Sequence, residues 1–283
     1  MKLYDFDGMF DEKLAEYIKK HSDKYKESEW EDIIPVMYAR FGDTKIKSLG
    51  MSPNEYYASF SDEELVKCLK AHLKQGVPVS EYLCNAIEKR NADRLLVSLL
   101  SGTDDEVSYA LNLLGASREA LPEYMRLLTT SEDEDIRNTC VDNVKQFADE
   151  VKEQALEYYN KGVQREYMLE ILSRCVIRDD RIFDLLVKAF RSDDENLPMH
   201  ASYLAAYGDE RALEYLLDKI DEDGISYIEY QELKYAIESL GGSYDKERDF
   251  SSDPYYQAIK AHSQSEVNLF ESFGIKPEDA GNI

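Results

Sequence analysis

Five amphipathic helix starts recur along the middle of the chain, and this recurrence constrains the fold more than any other feature of the sequence. The starts lie near Arg94, Arg118, Val151, Asp180 and Arg211, so successive units are roughly 30 residues apart. Each unit has an amphipathic first helix, a short acidic turn and an amphipathic second helix. Only 13 glycines and 7 prolines interrupt the 283 residues. The spacing predicts an all-α fold built from helix pairs.

The stretch from residue 118 to residue 150 illustrates one unit. Both of its helices carry apolar residues on a single face. These positions are Leu121, Met125 and Leu128 in the first helix, then Ile136, Cys140, Val144 and Phe147 in the second. Serines that stand three residues before a glutamate predict capping boxes at helix starts along the chain. They are Ser28, Ser52, Ser61, Ser131 and Ser192.

Two segments carry a family resemblance. Pro122 in a first helix and Asp135-Ile136-Arg137 at the start of the second resemble a HEAT repeat. Residues 208–220 (GDERALEYLLDKI) resemble the HEAT variant of phycobilisome lyases. The resemblance covers about residues 92–242 and implies an α-α superhelix of armadillo type, a HEAT-like repeat solenoid. Such arrays occur in scaffolds, adaptors, lyases and one group of DNA glycosylases, so the resemblance is specific for fold and poor for function.

Three parts are expected along the chain: an N-terminal helical region or cap (1–90), HEAT-like repeats of about five helix pairs (91–243), and a C-terminal helix and tail (244–283). Pro35 should kink or divide the second helix of the first part. In the tail, Asp253 and Pro254 predict an N-cap and a first helical position. The helices expected in the first part cover about 10–21, 28–41, 53–60, 62–75 and 80–90.

The charge balance excludes some partners. The formal net charge is -24, from 58 acidic and 34 basic residues, which disfavours nucleic acid and anionic membrane surfaces. No signal peptide or membrane-length apolar run is present, so we expect a cytoplasmic location. The cysteines are far apart and form no CxxC pair, which predicts reduced core residues. They are Cys68, Cys84, Cys140 and Cys175.

One acidic turn, residues 221–232 (DEDGISYIEYQE), partly resembles an EF-hand loop. Asp221, Asp223 and Glu232 fit ligand positions. Ile225 stands where a polar ligand belongs, and Ser226 stands where the turn needs glycine. We therefore interpret the segment as an ordinary acidic turn and keep a calcium-tuned adaptor as an alternative.

No catalytic or cofactor motif is present, whether HExxH, GxSxG, P-loop or GxGxxG, and we expect no cofactor. The histidines His21, His72, His200 and His262 are widely separated and fit packing or surface roles, so no metal site is predicted from them. A lyase-like enzyme of the HEAT type remains an alternative. A HEAT-like DNA glycosylase would need a basic groove, which the charge balance disfavours.

The function predicted is that of a non-enzymatic scaffold or adaptor that binds another protein or peptide. In HEAT-like arrays the second helices line the concave face, which is the customary binding surface. Tyrosine, arginine and methionine are enriched at such interfaces. Outward positions on the second helices, assigned by apolar spacing, are Tyr109, Arg137, Asn138, Tyr167, Arg174, Met199, Tyr203 and Tyr207.

Overall fold

Helices make up every regular element in the part of the chain that the structure, a computed structural model, describes: residues 1–21, 24–90, 92–193 and 195–261. No strand occurs within these ranges, which confirms the all-α prediction. The chain divides into two units, Met1–Gln146 and Phe147–Ile283. Residue 90, where we placed the end of an N-terminal region, therefore lies inside the first unit.

The first unit contains nine α-helices within its described residues. The expected helices are present with small shifts of their ends, and the one expected over 10–21 begins earlier, at Phe6. The helices are α1 (Phe6–His21), α2 (Glu27–Gly42), α3 (Pro53–Ala58), α4 (Asp62–Gln75), α5 (Glu81–Glu88), α6 (Asp93–Val97), α7 (Asp104–Leu114), α8 (Leu121–Thr130) and α9 (Glu134–Val144).

Aromatic packing explains much of the first unit's tyrosine content. Phe6 lies against Tyr56 and Tyr57 with near-perpendicular rings, at centroid distances of 5.8 and 5.6 Å. The rings of Tyr38 and Tyr82 stack at 4.6 Å. Such contacts add to the free energy gained by burying the ring surfaces. They join α1, α2, α3 and α5 into one core.

Pro35 does not divide its helix, which was one of the two effects that the sequence predicted. The helix α2 is continuous from Glu27 to Gly42, with Pro35 inside it and exposed. Tyr38 and Phe41, which follow the proline, pack on Phe10 at centroid distances of 5.0 and 5.8 Å. This packing holds the C-terminal part of α2 on the core, so tertiary contacts offset the proline's local cost.

The second unit contains three successive helix pairs in its described part. The two members of each pair pack together, and α13 also contacts α11, α14 and α15. The tail contains a helical segment over 254–261, and Asp253 caps it by accepting from the amides of Tyr255 and Tyr256, as predicted. The pairs are α10 (Ala148–Lys161) with α11 (Arg165–Leu172), α12 (Asp180–Ser192) with α13 (Leu197–Tyr207), and α14 (Ala212–Ile220) with α15 (Tyr227–Ser239).

Charged contacts align the first helices of these pairs. Arg181, at the start of α12, pairs with Glu153 near the start of α10 at 2.6 Å. Arg211, just before α14, pairs with Asp180 at the start of α12 at 2.8 Å. The first helices therefore begin side by side. Both arginines belong to an Asp-x-Arg segment, and the two segments are 30 residues apart.

The first of these segments is also a helix cap. Asp179 accepts from the backbone amide of Arg181 at 3.0 Å and from its guanidinium at 2.6 Å. The Arg181 guanidinium holds the pKa of this carboxyl well below its usual range. Asp179 is therefore a charged N-cap over the working pH range of the protein.

Candidate functional site

The second helices α11 and α13 contact each other, and their N-terminal ends lie close together. Glu166, at the start of α11, contacts His200 near the start of α13. Tyr207, at the end of α13, bonds to Asp179, the N-cap of α12. The side chains at the start of α11 therefore lie beside the first turn of α13.

Tight turns set the two helices in place. Gly162 ends α10 with a φ of 76°, and Gln164 opens α11 with a φ of 47°. Among the described residues, Gln164 is the one non-glycine with positive φ. Positive φ is costly for a residue with a Cβ, so packing of the α10–α11 pair holds this turn. Gly208 ends α13 with a φ of 71°.

Five of the predicted interaction residues lie in this unit. Tyr167 and Met199 are half-buried and Arg174 is exposed. We call the surface that the accessible side chains of these elements share the α11–α13 face, formed by Glu166, Tyr167, Glu170, Arg174 and Met199.

Two of the predicted outward positions are wrong. Tyr203 is 7% exposed and Tyr207 is 2% exposed, so both belong to the core. The reason is that α13 contacts α11, α12, α14 and α15, which leave little of it open. Burial raises the pKa of both hydroxyls. Tyr207 uses its hydroxyl within the fold, where it accepts from the Asp179 amide at 2.8 Å and donates to the Asp179 carbonyl at 3.0 Å.

The other three predicted residues belong to the first unit. Tyr109 is half-buried on α7, and burial raises the pKa of its hydroxyl. Asn138 is exposed on α9. Arg137 is half-buried, and its guanidinium donates to the Ser131 carbonyl at 2.8 Å. Arg137 therefore fastens the α8–α9 turn, a structural role that its outward assignment did not include.

A cluster of metal-ligating side chains lies beside the α11–α13 face. Glu166, Asp193 and His200 each offer a ligand atom, and these atoms lie within 4.8 Å of one another. His200 Nε2 is 3.0 Å from a Glu166 carboxylate oxygen. His200 is 2% exposed. The sequence did not reveal this cluster because its members are spread over 35 residues and meet only when α11 and α13 pack.

The acidic turn considered for calcium is tied to the tail. Asp221 accepts from the Tyr244 hydroxyl at 2.6 Å and from Lys246 Nζ at 2.5 Å. The Lys246 ammonium lowers the pKa of this carboxyl. Within the described residues, the one group of three or more potential ligands does not include Asp221, Asp223 or Glu232. The structure therefore does not bring these three carboxylates together.

A groove of about 500 Å³ in the first unit lies between α2, α3 and α5. Tyr38 and Tyr82 line it, but their hydroxyls serve the fold. The Tyr38 hydroxyl donates to Asp7 and the Tyr82 hydroxyl donates to the Tyr38 carbonyl, both at 2.6 Å. Burial raises the pKa of both phenols. Neither is therefore available as an acid or base near neutral pH.

In the described part of the chain, no helix is long and apolar enough to cross a membrane. No family model and no curated protein matches the chain.

Proposed function

We propose that this chain is a non-enzymatic scaffold or adaptor that binds another protein or peptide through the α11–α13 face. One observation carries the proposal. Val176 and Ile177, which lie in the α11–α12 loop just after Arg174 of this face, are 81% and 62% exposed. Their amides both donate to the Asp149 carboxylate at 3.1 Å. The backbone that carries these two exposed apolar side chains is thus fixed by hydrogen bonds, an arrangement that favours association.

The fold proposed for this unit is a HEAT-like array. Supporting it are first helices that begin side by side, contact between the N-terminal ends of the second helices α11 and α13, and Asp-x-Arg segments 30 residues apart. Contact between successive helix pairs is the packing principle of a solenoid.

The partner favoured by the charges is a basic protein segment with an apolar anchor. Glu166 and Glu170 flank Tyr167 on α11, and Arg174 is the basic residue of this face. Carboxylates of this kind select lysine and arginine on a partner and speed its encounter. The net charge of -24 acts in the same sense and opposes nucleic acid and anionic lipid.

The test begins with capture of partners from lysate of the native organism and continues with the purified partner. The double variant Val176→Ser/Ile177→Ser removes these two exposed apolar side chains from the chain. It leaves the core intact, because both side chains lie in solvent. We expect its dissociation constant, measured by isothermal titration calorimetry, to rise by about tenfold or more.

The matched control is Ile228→Ser/Tyr235→Ser. These residues are also exposed, at 41% and 65%, and they lie on α15 of the same unit. The control should bind as the unmodified chain does. Equal binding by all three proteins would overturn the assignment of the surface, whereas loss of binding by the control alone would move the surface to α15.

A further inference from the structure

We propose that Glu166, Asp193 and His200 form a binding site for a divalent transition-metal ion, with Zn²⁺ as the favoured ion. The three residues come from the start of α11, the residue after α12, and α13. An ion held there would join all three elements at one point, whereas the Glu166–His200 contact joins only α11 and α13. The proposal stands whether or not the neighbouring face binds a protein.

The distances fit a shared ion. Two ligands of one tetrahedral Zn²⁺ at bond lengths of about 2.0–2.1 Å are separated by roughly 3.3 Å. His200 Nε2 and the Glu166 oxygen are 3.0 Å apart, and all three ligand atoms lie within 4.8 Å. The geometry requires the Glu166 and Asp193 carboxylates to rotate about their side-chain bonds until each oxygen is about 2 Å from the ion.

The donor set selects the class of ion. Imidazole nitrogen favours zinc and its first-row neighbours, whereas calcium and magnesium take oxygen ligands almost entirely. Three protein ligands leave a fourth tetrahedral position for water or a partner's side chain. The Glu166 side chain is 47% exposed, so an ion can reach the cluster from solvent.

The ligands differ in how far they are fixed in advance. His200 is 2% exposed on α13, so its ring has little freedom. Asp193 accepts from the Asn196 amide at 3.3 Å and from its side chain at 2.8 Å. Carboxylate oxygens have further lone pairs, so the Asn196 contacts can persist when Asp193 binds an ion. Two of the three ligands are therefore oriented before the ion arrives.

The remaining ring nitrogen sets a limit on affinity. His200 Nδ1 is buried without a hydrogen-bond partner among the described residues. Histidine ligands of tight sites donate this second N–H to a carboxylate or carbonyl, and loss of that bond costs 10–100-fold in affinity. We therefore expect Zn²⁺ to bind about 10–100-fold more weakly than it does at a site whose histidine donates this second bond.

The experiment is a calorimetric titration of the full chain, without a histidine tag, with Zn²⁺ at pH 7. We expect one site, a rise in Tm with Zn²⁺, and no comparable rise with Ca²⁺ or Mg²⁺. Co²⁺ bound in place of Zn²⁺ should give visible absorption bands that report its nitrogen and oxygen ligands.

Conservative variants separate this site from adventitious binding to an acidic surface. Glu166→Gln and Asp193→Asn keep the shapes of the side chains and remove their charges. Each should raise the Zn²⁺ dissociation constant by about tenfold or more while leaving the Tm without metal nearly unchanged. Asp184→Asn, an exposed position on α12, is the matched control and should bind as the unmodified chain does.

Two results would overturn the proposal: absence of Zn²⁺ binding at 100 µM metal, or binding that the Glu166 and Asp193 variants do not weaken. A partner that binds equally with and without Zn²⁺ would leave the metal site intact and concern the proposed function alone.

Discussion

Tyr207 links the end of α13 to the start of α12, the other helix of its pair, through its hydroxyl. The ring is 2% exposed, and the oxygen both accepts from the amide and donates to the carbonyl of Asp179. The chain carbonyls of Tyr207 and Gly208 in turn accept from the Arg178 guanidinium. Four residues thus close the junction at which α12 begins, and the polar atoms named here are all paired.

Tyr207→Phe should therefore destabilise the second unit. The substitution keeps the ring but leaves the Asp179 amide and carbonyl without their partner, which costs about 1–3 kcal/mol of the free energy of unfolding. Urea unfolding followed by circular dichroism measures the change. Tyr235→Phe is the matched control, since Tyr235 is 65% exposed, and it should change stability by no more than about 0.5 kcal/mol. A Tyr207 variant as stable as this control would contradict the assigned role.

The direction of individual side chains was the part of the site that the sequence predicted least well. The α13 segment (LPMHASYLAAY) is apolar on nearly every side, so 3.6-residue spacing gives no preferred face. Tyr203 and Tyr207 were therefore assigned outward when both are buried. On α11, charged residues indicate which side of the helix faces solvent. Tyr167, predicted to point outward there, is half-buried.

Short sequence patterns are equally limited in predicting which residue caps a helix. Ser52 and Ser61 form the predicted boxes, with Glu55 and Glu64 amides donating to the serine oxygens. The boxes predicted at Ser28, Ser131 and Ser192 are wrong. At the second of these, Asp133 is the N-cap instead, because its carboxylate accepts from two amides and competes well with a serine. The pattern Ser-x-x-Glu identifies a possible N-cap, but it does not show whether a neighbouring residue caps the helix instead.

At the scale of elements, the repeat spacing predicted the positions of helices better than it predicted the directions of single side chains. The five first-helix starts inferred near Arg94, Arg118, Val151, Asp180 and Arg211 each lie within a few residues of a helix start, at α6, α8, α10, α12 and α14. Apolar periodicity summed over a whole helix is a stronger signal than one residue's preference. The cluster of Glu166, Asp193 and His200 depends on how two helices pack, which no local pattern records.

The helix α2 carries the cost of its internal proline. Pro35 has no N–H, so the helix lacks one backbone hydrogen bond there, and the ring crowds the preceding turn. Pro35→Ala should restore this hydrogen bond and remove the crowding. The position is exposed, so its replacement opens no cavity. We expect the free energy of unfolding of the first unit to rise by about 1–3 kcal/mol, measured by urea unfolding.

Pro122→Ala is the matched control for this prediction. Pro122 is also exposed, but it lies in the first turn of α8, where the missing N–H has no helical partner to lose. Its replacement should leave stability unchanged or slightly lower it. A gain of similar size at both positions would show a general effect of removing proline, and would contradict the specific cost assigned to Pro35.

At the scale of the whole molecule, charge opposes folding. The net charge is -24 at pH 7, and the folded chain holds these like charges closer together than the unfolded chain does. Local ion pairs such as Arg181 with Glu153 offset part of the repulsion, but they are exposed and contribute little each. The excess of carboxylates thus lowers the stability of the folded chain.

Salt should consequently stabilise this protein at neutral pH. Raising NaCl from 10 to 150 mM shortens the screening length from about 30 Å to about 8 Å, which removes much of the long-range repulsion and leaves short pairs nearly intact. A gain of about 1 kcal/mol would raise Tm by roughly 2–4 °C for each unfolding unit of this size. The same titration at pH 5, close to the isoelectric point of 4.6, should give a much smaller rise, because protonated carboxyls no longer repel. Differential scanning calorimetry at both pH values decides the matter: a Tm that falls with salt at pH 7 would mean that attractive pairs outweigh the net charge.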